Sequence, residues 1–236
     1  MTHPSSTQPP LGILLDYDGV VAITEDLHRQ ALNLLLEEMN LPHISHPEYF
    51  ERYAGVGETE VMIHIFSQRK QIHDHAAIRR YMAKKTEYFL RIILEQDTLA
   101  PGFLDFLAAA PAHATLGIVS GSRREEIDAN LQKYQLEAQL PILIALDDCE
   151  FGKPHPEPYQ KAAEKLVGDE RRPIPLNRIL VVEDAPSGIR SACAAGLPVF
   201  AMPTAYSHEE LLQAGARNIL DQWTAQTWDR FEQALS

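Results

Sequence analysis

Short clusters of reactive residues stand at the ends of apolar runs in this chain. In Asp16-Tyr17-Asp18-Gly19-Val20, two carboxylates sit at i and i+2 where the run from Leu11 to Asp16 closes. Such a pair is costly unless positive charge lies beside it. Magnesium suits the position, because it prefers hard oxygen ligands and keeps waters and substrate phosphate oxygens in its shell. Asp16 can then hold the metal with one oxygen and attack phosphorus with the other. Asp18 can reach the leaving-group oxygen as a general acid, while Gly19 lets the chain turn sharply. Two solvated loop acids remain the plain alternative for this pentapeptide alone.

Three further clusters follow. Ser120-Gly121-Ser122 comes directly before a helical stretch opening with Arg123-Arg124-Glu125-Glu126. A hydroxyl, a glycine and a helix N-terminus together make an anion site, with Ser120 and Gly121 facing a phosphate. Plain capping, with Ser122 as N-cap and Glu125 at N3, is compatible with that reading. In Gly152-Lys153-Pro154 the prolines at 154 and 156 hold an extended loop before a helix starting near Glu157. Lys153 is either an ordinary solvated lysine or the fixed cation that balances Asp16 and a phosphate dianion. Glu183-Asp184 ends the apolar run from Ile179 to Val182, and Asp184 would complete the protein share of a metal shell, with Glu183 beside or behind it.

Delivering these groups to one crevice requires a particular architecture. The runs Leu11 to Asp16, Thr115 to Val119, Ile142 to Ala145, Ile179 to Val182 and Pro198 to Ala201 read as buried parallel strands separated by helical patterns. That alternation predicts a doubly wound, Rossmann-like α/β sheet. Between the first strand and Thr115 no strand pattern occurs. Leu27, Ala31, Leu35 and Met39, and later Ile78, Met82, Phe89 and Ile93, mark helices there, with breaks at Pro42 to Pro47 and Ala54 to Gly57. An all-helical cap is therefore expected over residues 22–96, inserted into a core of residues 11–21 and 97–236. Trp223 and Trp228 are expected to pack a last helix against the sheet.

Composition narrows the class. A chain of 236 residues, 45% hydrophobic, can bury such a core and cap, and a net charge of -12 disfavours nucleic-acid partners. Only Cys149 and Cys193 occur, too few for a disulfide framework, and both read as small core residues in a reducing compartment. Residues 1–10 read as a flexible leader without a basic region or apolar run. No segment approaches a membrane span. A cytoplasmic monomer acting on a small phosphorylated molecule is expected.

Taken in order, Asp-x-Asp-Gly-Val, Ser-Gly, Gly-Lys-Pro and Glu-Asp-x-x-x-Gly resemble the four motifs of the haloacid dehalogenase superfamily over nearly the whole chain. Glu183-Asp184-Ala185-Pro186-Ser187-Gly188-Ile189 is especially similar to the β-phosphoglucomutase-like phosphatases, which carry a helical cap after the first motif. The resemblance implies Asp16 as nucleophile and metal ligand, and Asp18 as acid and base with its backbone carbonyl on Mg2+. It further implies Ser120 and Lys153 on phosphate and Asp184 as the remaining metal carboxylate. It also places His28 where those relatives carry a histidine touching the acid, although an ordinary polar helix position explains His28 equally.

Departures from the family pattern are informative. True dehalogenases lack the second aspartate, so Asp18 speaks against C–halogen hydrolysis. Where the mutases grip a second phosphate with basic residues, this chain has Ala54-Gly55-Val56-Gly57-Glu58. Glu58 would repel a second phosphate, which favours a phosphatase over a phosphomutase. The lack of a lysine near Ala54 disfavours a Schiff-base phosphonatase. Gly55, Val56 and Glu58 are the expected specificity loop of the cap. A non-catalytic binding relative is the third reading, opposed by the intact set Asp16, Asp18, Lys153 and Asp184.

Overall fold

The computed structural model describes residues 9–68 and 74–235. All but the last two residues of the expected leader lie outside them. The chain begins with strand β1 (Leu11–Leu15) and then four helices, α1 (Glu25–Glu38), α2 (His46–Arg52), α3 (Glu58–Gln68) and α4 (His75–Glu95). The remainder alternates: α5 (Phe103–Ala108), β2 (Ala114–Val119), α6 (Arg124–Tyr134), β3 (Ile142–Ile144), α7 (Glu157–Val167), β4 (Ile179–Glu183), α8 (Pro186–Ala194), β5 (Val199–Ala201), α9 (His208–Gln213), β6 (Asn218–Ile219) and α10 (Thr227–Ala234).

The strands form one parallel sheet in the order β3-β2-β1-β4-β5-β6. This is the doubly wound order in which β1 and β4 flank the switch point, so ligands bind outside the carboxyl ends of those strands. Every residue of β1 and β4 is buried, as the continuous apolar runs require of strands covered on both faces. One face packs Phe103, Phe106, Ile127, Leu131 and Phe231, and the other packs Tyr159, Leu166, Ile189 and Leu211.

The helical insert has its own apolar centre. Leu32, Leu35 and Leu36 of α1 meet Val61, Met62, Ile65 and Phe66 of α3 and Ile78 and Met82 of α4. Its two connections to the core run side by side: Ile23 N donates to Thr98 O at 2.7 Å and Ala100 N to Val21 O at 2.9 Å. An isolated antiparallel bridge between Ala22 and Leu99 ties these two connections together at the sheet end.

Three expectations need correction. Trp223 precedes α10 rather than lying in it; Trp228 stacks on Phe106 of α5 and Trp223 lies tilted against the same ring, with indole N–H groups donating to Phe106 O and Val20 O respectively. Their polar edges need acceptors, which the turn after β1 and helix α5 provide. Cys193 is exposed and Cys149 only half-buried, so neither is a core residue. Strand β6 has two half-buried residues, too short for a periodic signal.

Candidate active site

The carboxyl ends of β1 and β4 and the loops after β2 and β3 converge on one cavity beneath the helical insert. Asp16, Asp18, Gly121, Lys153, Glu183 and Asp184 line it from the core, and His28 and Glu58 from the insert. Ser120 lies just behind this wall. Its hydroxyl accepts from Ser122 N at 2.9 Å and faces Asp18 Oδ2 at 3.4 Å.

Asp16 extends β1 by one ladder bond, its N–H donating to Val182 O at 2.9 Å. The chain then folds back, with Val21 and Ala22 N–H groups both donating to Tyr17 O. That reversal needs Gly19, which has φ +80° and whose missing Cβ would lie 1.9 Å from Asp184 Oδ2. The turn thereby brings two strand ends, and their carboxylates, against one another.

Lys153 holds the centre. Its ammonium donates to Asp16 Oδ1 at 2.7 Å, Glu183 Oε1 at 2.6 Å and Val119 O at 2.9 Å, using all three protons. Glu183 is wholly buried, and each oxygen takes two hydrogen bonds: Lys153 and Tyr159 OH on Oε1, and the Asp184 and Ala185 N–H groups on Oε2. So saturated, Glu183 is suited to fixing Lys153. Asp16 and Asp184 both line the cavity, and no hydrogen bond from the protein reaches Asp16 Oδ2 among the described residues, while Asp184 is steadied by Thr204 Oγ.

Asp18 is placed differently. It receives the hydroxyls of Thr24 and of Ser122, the latter at 2.5 Å, and His28 Nε2 stands 3.2 Å from Oδ1. Ser122 is thus not the N-cap expected of it. Arg123 occupies that position and its N–H meets Glu126, freeing the Ser122 hydroxyl for the carboxylate. Burial alone would raise the Asp18 pKa, but His28, Ser122 and Thr24 outweigh it and hold the carboxyl below its usual range.

The acid opposite behaves in the reverse sense. Burial, then the charges of Glu183 and Asp18, push Asp16 up to about 8 despite Lys153, and Asp184 is raised by burial, Asp16 and Glu183. One ammonium against three buried carboxylates leaves uncompensated negative charge. The ligand atoms of Asp16, Glu183 and Asp184 lie within 4.8 Å of one another, a hard oxygen cluster of the kind that fits a divalent cation.

A carboxyl whose folded pKa exceeds its unfolded one favours folding below the unfolded pKa, near 4, and loses that contribution as pH rises through the folded value. Metal-free protein is therefore expected to lose Tm between about pH 4 and about pH 8, the upper limit being set by Asp16. Mg2+ should flatten that slope. Thermal melts across this range with Mg2+ or EDTA check it, and a flat metal-free profile would contradict it.

Above the carboxylates the insert is closed. Glu126 of α6 meets Lys85 and Thr86 of α4, and Tyr206 OH donates to Ala54 O at 2.9 Å. Such closure excludes water and strengthens every charge interaction within.

Residues 13–202 match the family described as Haloacid dehalogenase-like hydrolase. The chain belongs to this family. This haloacid dehalogenase-like hydrolase is 29% identical to Protein CbbY of Cereibacter sphaeroides over 216 residues, 89% of this chain and 90% of that protein. It is 25% identical over 186 residues to the Phosphorylated carbohydrates phosphatase of Thermotoga maritima, covering 78% of this chain and 81% of that one. A crystal structure of mutant CbbY from Rhodobacter sphaeroides, in complex with xylulose-1,5-bisphosphate, aligns with a TM-score of 0.79 at 27% identity, over 90% of this chain and 94% of that chain.

Several groups on this hydrolase's cavity escape sequence reasoning. Glu25 accepts from Gly55 N at 3.1 Å and Tyr49 OH at 3.3 Å. Lys85 donates to His28 Nδ1 at 2.6 Å, which leaves the His28 proton on Nε2, toward Asp18. A signal for Lys85 exists: it interrupts the apolar stripe Ile78, Met82, Phe89, Ile93 on a buried helix face, where a lysine needs partners.

Proposed function

We propose that this hydrolase is a Mg2+-dependent phosphatase that cleaves a small phosphorylated metabolite, of the carbohydrate-phosphate kind, through an aspartyl phosphate on Asp16. The observation that carries the reading is the pinned Asp16: Lys153 fixes one of its oxygens, and the residue lines a cavity whose clustered acids suit a cation. The names of the relatives add the substrate class. Asp16, Asp184 and the backbone of Asp18 would hold Mg2+, which when bound neutralises charge on the phosphoryl oxygens.

The residues divide the work. The Gly121 loop and Lys153, whose ammonium must release one of its three present acceptors, seat the phosphate, with Ser120 bracing the loop through Ser122 N. Asp16 Oδ2 attacks phosphorus in line as the ester P–O bond breaks, and the departing alkoxide takes a proton from Asp18. Asp18 has no need of a raised resting pKa, since an incoming phosphate dianion favours its protonated form. Ionised again, Asp18 accepts a proton from water as the water oxygen attacks phosphorus and the Asp16 carboxylate is released. Thr24, Ser122 and His28 return Asp18 to its ionised state.

The working form is taken to be a monomer. Two unpaired cysteines suit a reducing, cytoplasmic setting, and among the described residues no helix is long and apolar enough to cross a membrane. The test is phosphate release from p-nitrophenyl phosphate and a panel of carbohydrate phosphates with Mg2+ or EDTA. Turnover is expected with Mg2+ and loss of at least about 100-fold in EDTA. Equal rates in both would contradict the metal requirement.

A further inference from the structure

The loop between β5 and α9 carries two hydroxyls that serve different parts of the molecule. Thr204 Oγ donates to the Asp184 carboxylate just past the end of β4, and Tyr206 OH donates to Ala54 O of the helical insert at 2.9 Å. The loop is fixed at both ends. Met202 N donates to Glu183 O at 2.7 Å, and Ser207 forms a capping box with Glu210 at the start of α9. A short segment anchored twice leaves its side chains little freedom relative to one another.

The insert turn around Gly55 is shaped to meet this loop. Gly55 has φ +70°, and a Cβ on it would stand 3.1 Å from Tyr206 OH and 3.3 Å from Ala185 Cβ. Only a residue without a side chain lets the two surfaces approach so closely. Ser187 Oγ, in the first turn of α8, adds a longer bond of 3.4 Å to Gly55 O, while Gly55 N is taken by Glu25 within the insert. Two core hydroxyls thus address successive backbone carbonyls of one turn.

Tyr206 is half-buried and is not among the residues lining the cavity, whereas Gly55, Val56 and Gly57 are. Its hydroxyl therefore acts on the cavity only through the turn it holds. Burial, then the charges of Asp184 and Glu25, raise the phenol's pKa, so it keeps its proton and donates. A phenol–carbonyl bond can part and re-form at modest cost, because water satisfies both partners once they separate.

We infer that Tyr206 is a positioning residue whose hydroxyl clasps the insert turn at residues 54–55 against the core beside Asp184, so that one loop sets both the cover of the cavity and its carboxylate. The inference rests on the phosphatase reading and adds to it what holds the site covered. Releasing the clasp favours a form in which phosphate still reaches Lys153 but the insert turn no longer packs over it. Saturating substrate draws the insert shut again, so the loss falls on KM rather than on kcat.

Tyr206→Phe removes the hydroxyl and keeps the ring. Amide hydrogen exchange of wild type and variant is compared by mass spectrometry over residues 53–57 and 185–188, the two faces that meet, with β1 and β4 as internal reference. Exchange at the two faces is expected to rise about fivefold, the scale of one lost hydrogen bond, with none in the strands. For p-nitrophenyl phosphate with Mg2+, KM is expected to rise by a similar factor while kcat stays within about twofold. Unchanged exchange at both faces, a rise that extends to β1 and β4, or a fall in kcat at constant KM overturns the clasp. A wild type that releases no phosphate overturns the phosphatase reading instead, and exchange alone then decides whether Tyr206 fastens the insert.

Discussion

Asp16→Asn is expected to lower kcat by roughly 10⁴-fold or more while leaving the protein as stable as before, or more so, at pH 8 without metal. The two halves have separate causes. Activity is lost because an amide oxygen is a poor nucleophile and because Glu183, the other carboxylate on Lys153, has both oxygens saturated by hydrogen bonds and cannot take over from Asp16. Stability is kept because Asp16 is a buried charge repelled by Glu183 and Asp18, and its neutral form is the one the metal-free fold favours at neutral pH. The amide oxygen can still accept from Lys153. Steady-state kinetics and thermal melts of the same preparation check both halves. A variant that melts far below wild type would show that Asp16 supports the fold and would void the kinetic comparison.

Lys153→Met is expected to behave in the opposite way, losing turnover and about 3–5 kcal/mol of stability, the range for stripping one partner from a buried ion pair. For a chain of this size that is a fall in Tm of roughly 10 °C. Burial disfavours the lysine's charged form, yet Asp16 and Glu183 more than offset this and raise its pKa. Without it, Asp16, Glu183 and Asp184 face one another with no protein cation among them. The deficit should shrink as pH falls toward 5, because protonation of Asp16 and Asp184 relieves the same repulsion. Saturating Mg2+ should restore part of the Tm without restoring turnover. Melts at pH 5 and pH 8 check this, and a loss independent of pH would mean that Lys153 matters through packing rather than charge.

Much of this arrangement is legible in the chain because strand ends announce themselves. Apolar runs that stop at Asp16, Val119 and Glu183 fix where buried strands deliver polar groups, and three such ends meet wherever parallel strands stand side by side. Gly19 is legible for a related reason: a turn that sharp leaves no room for a side chain beside Asp184. The contents of the helical insert are harder to read. Lys85 and Glu126 are 41 residues apart in sequence and meet only because the insert packs on the core. Glu25 and Gly55 are joined across 30 residues by a bond from a backbone N–H, which carries no residue identity at all. Ser122 shows the same limit at short range. Its place before a helix reads as a cap, and only the approach of Asp18 from another strand end reveals where the hydroxyl goes.

Turnover through an aspartyl phosphate requires a covalent bond between Asp16 and phosphorus, and that bond is open to direct capture. p-Nitrophenyl phosphate labelled with ³²P should be mixed with enzyme and Mg2+, quenched in acid within milliseconds, and the protein digested and mapped. The expected result is label on the peptide containing Asp16, released by hydroxylamine as an acyl phosphate must be, and absent from Asp16→Asn. Rapid release of labelled phosphate with no label on the protein at any time, or label fixed to another residue, would contradict the account.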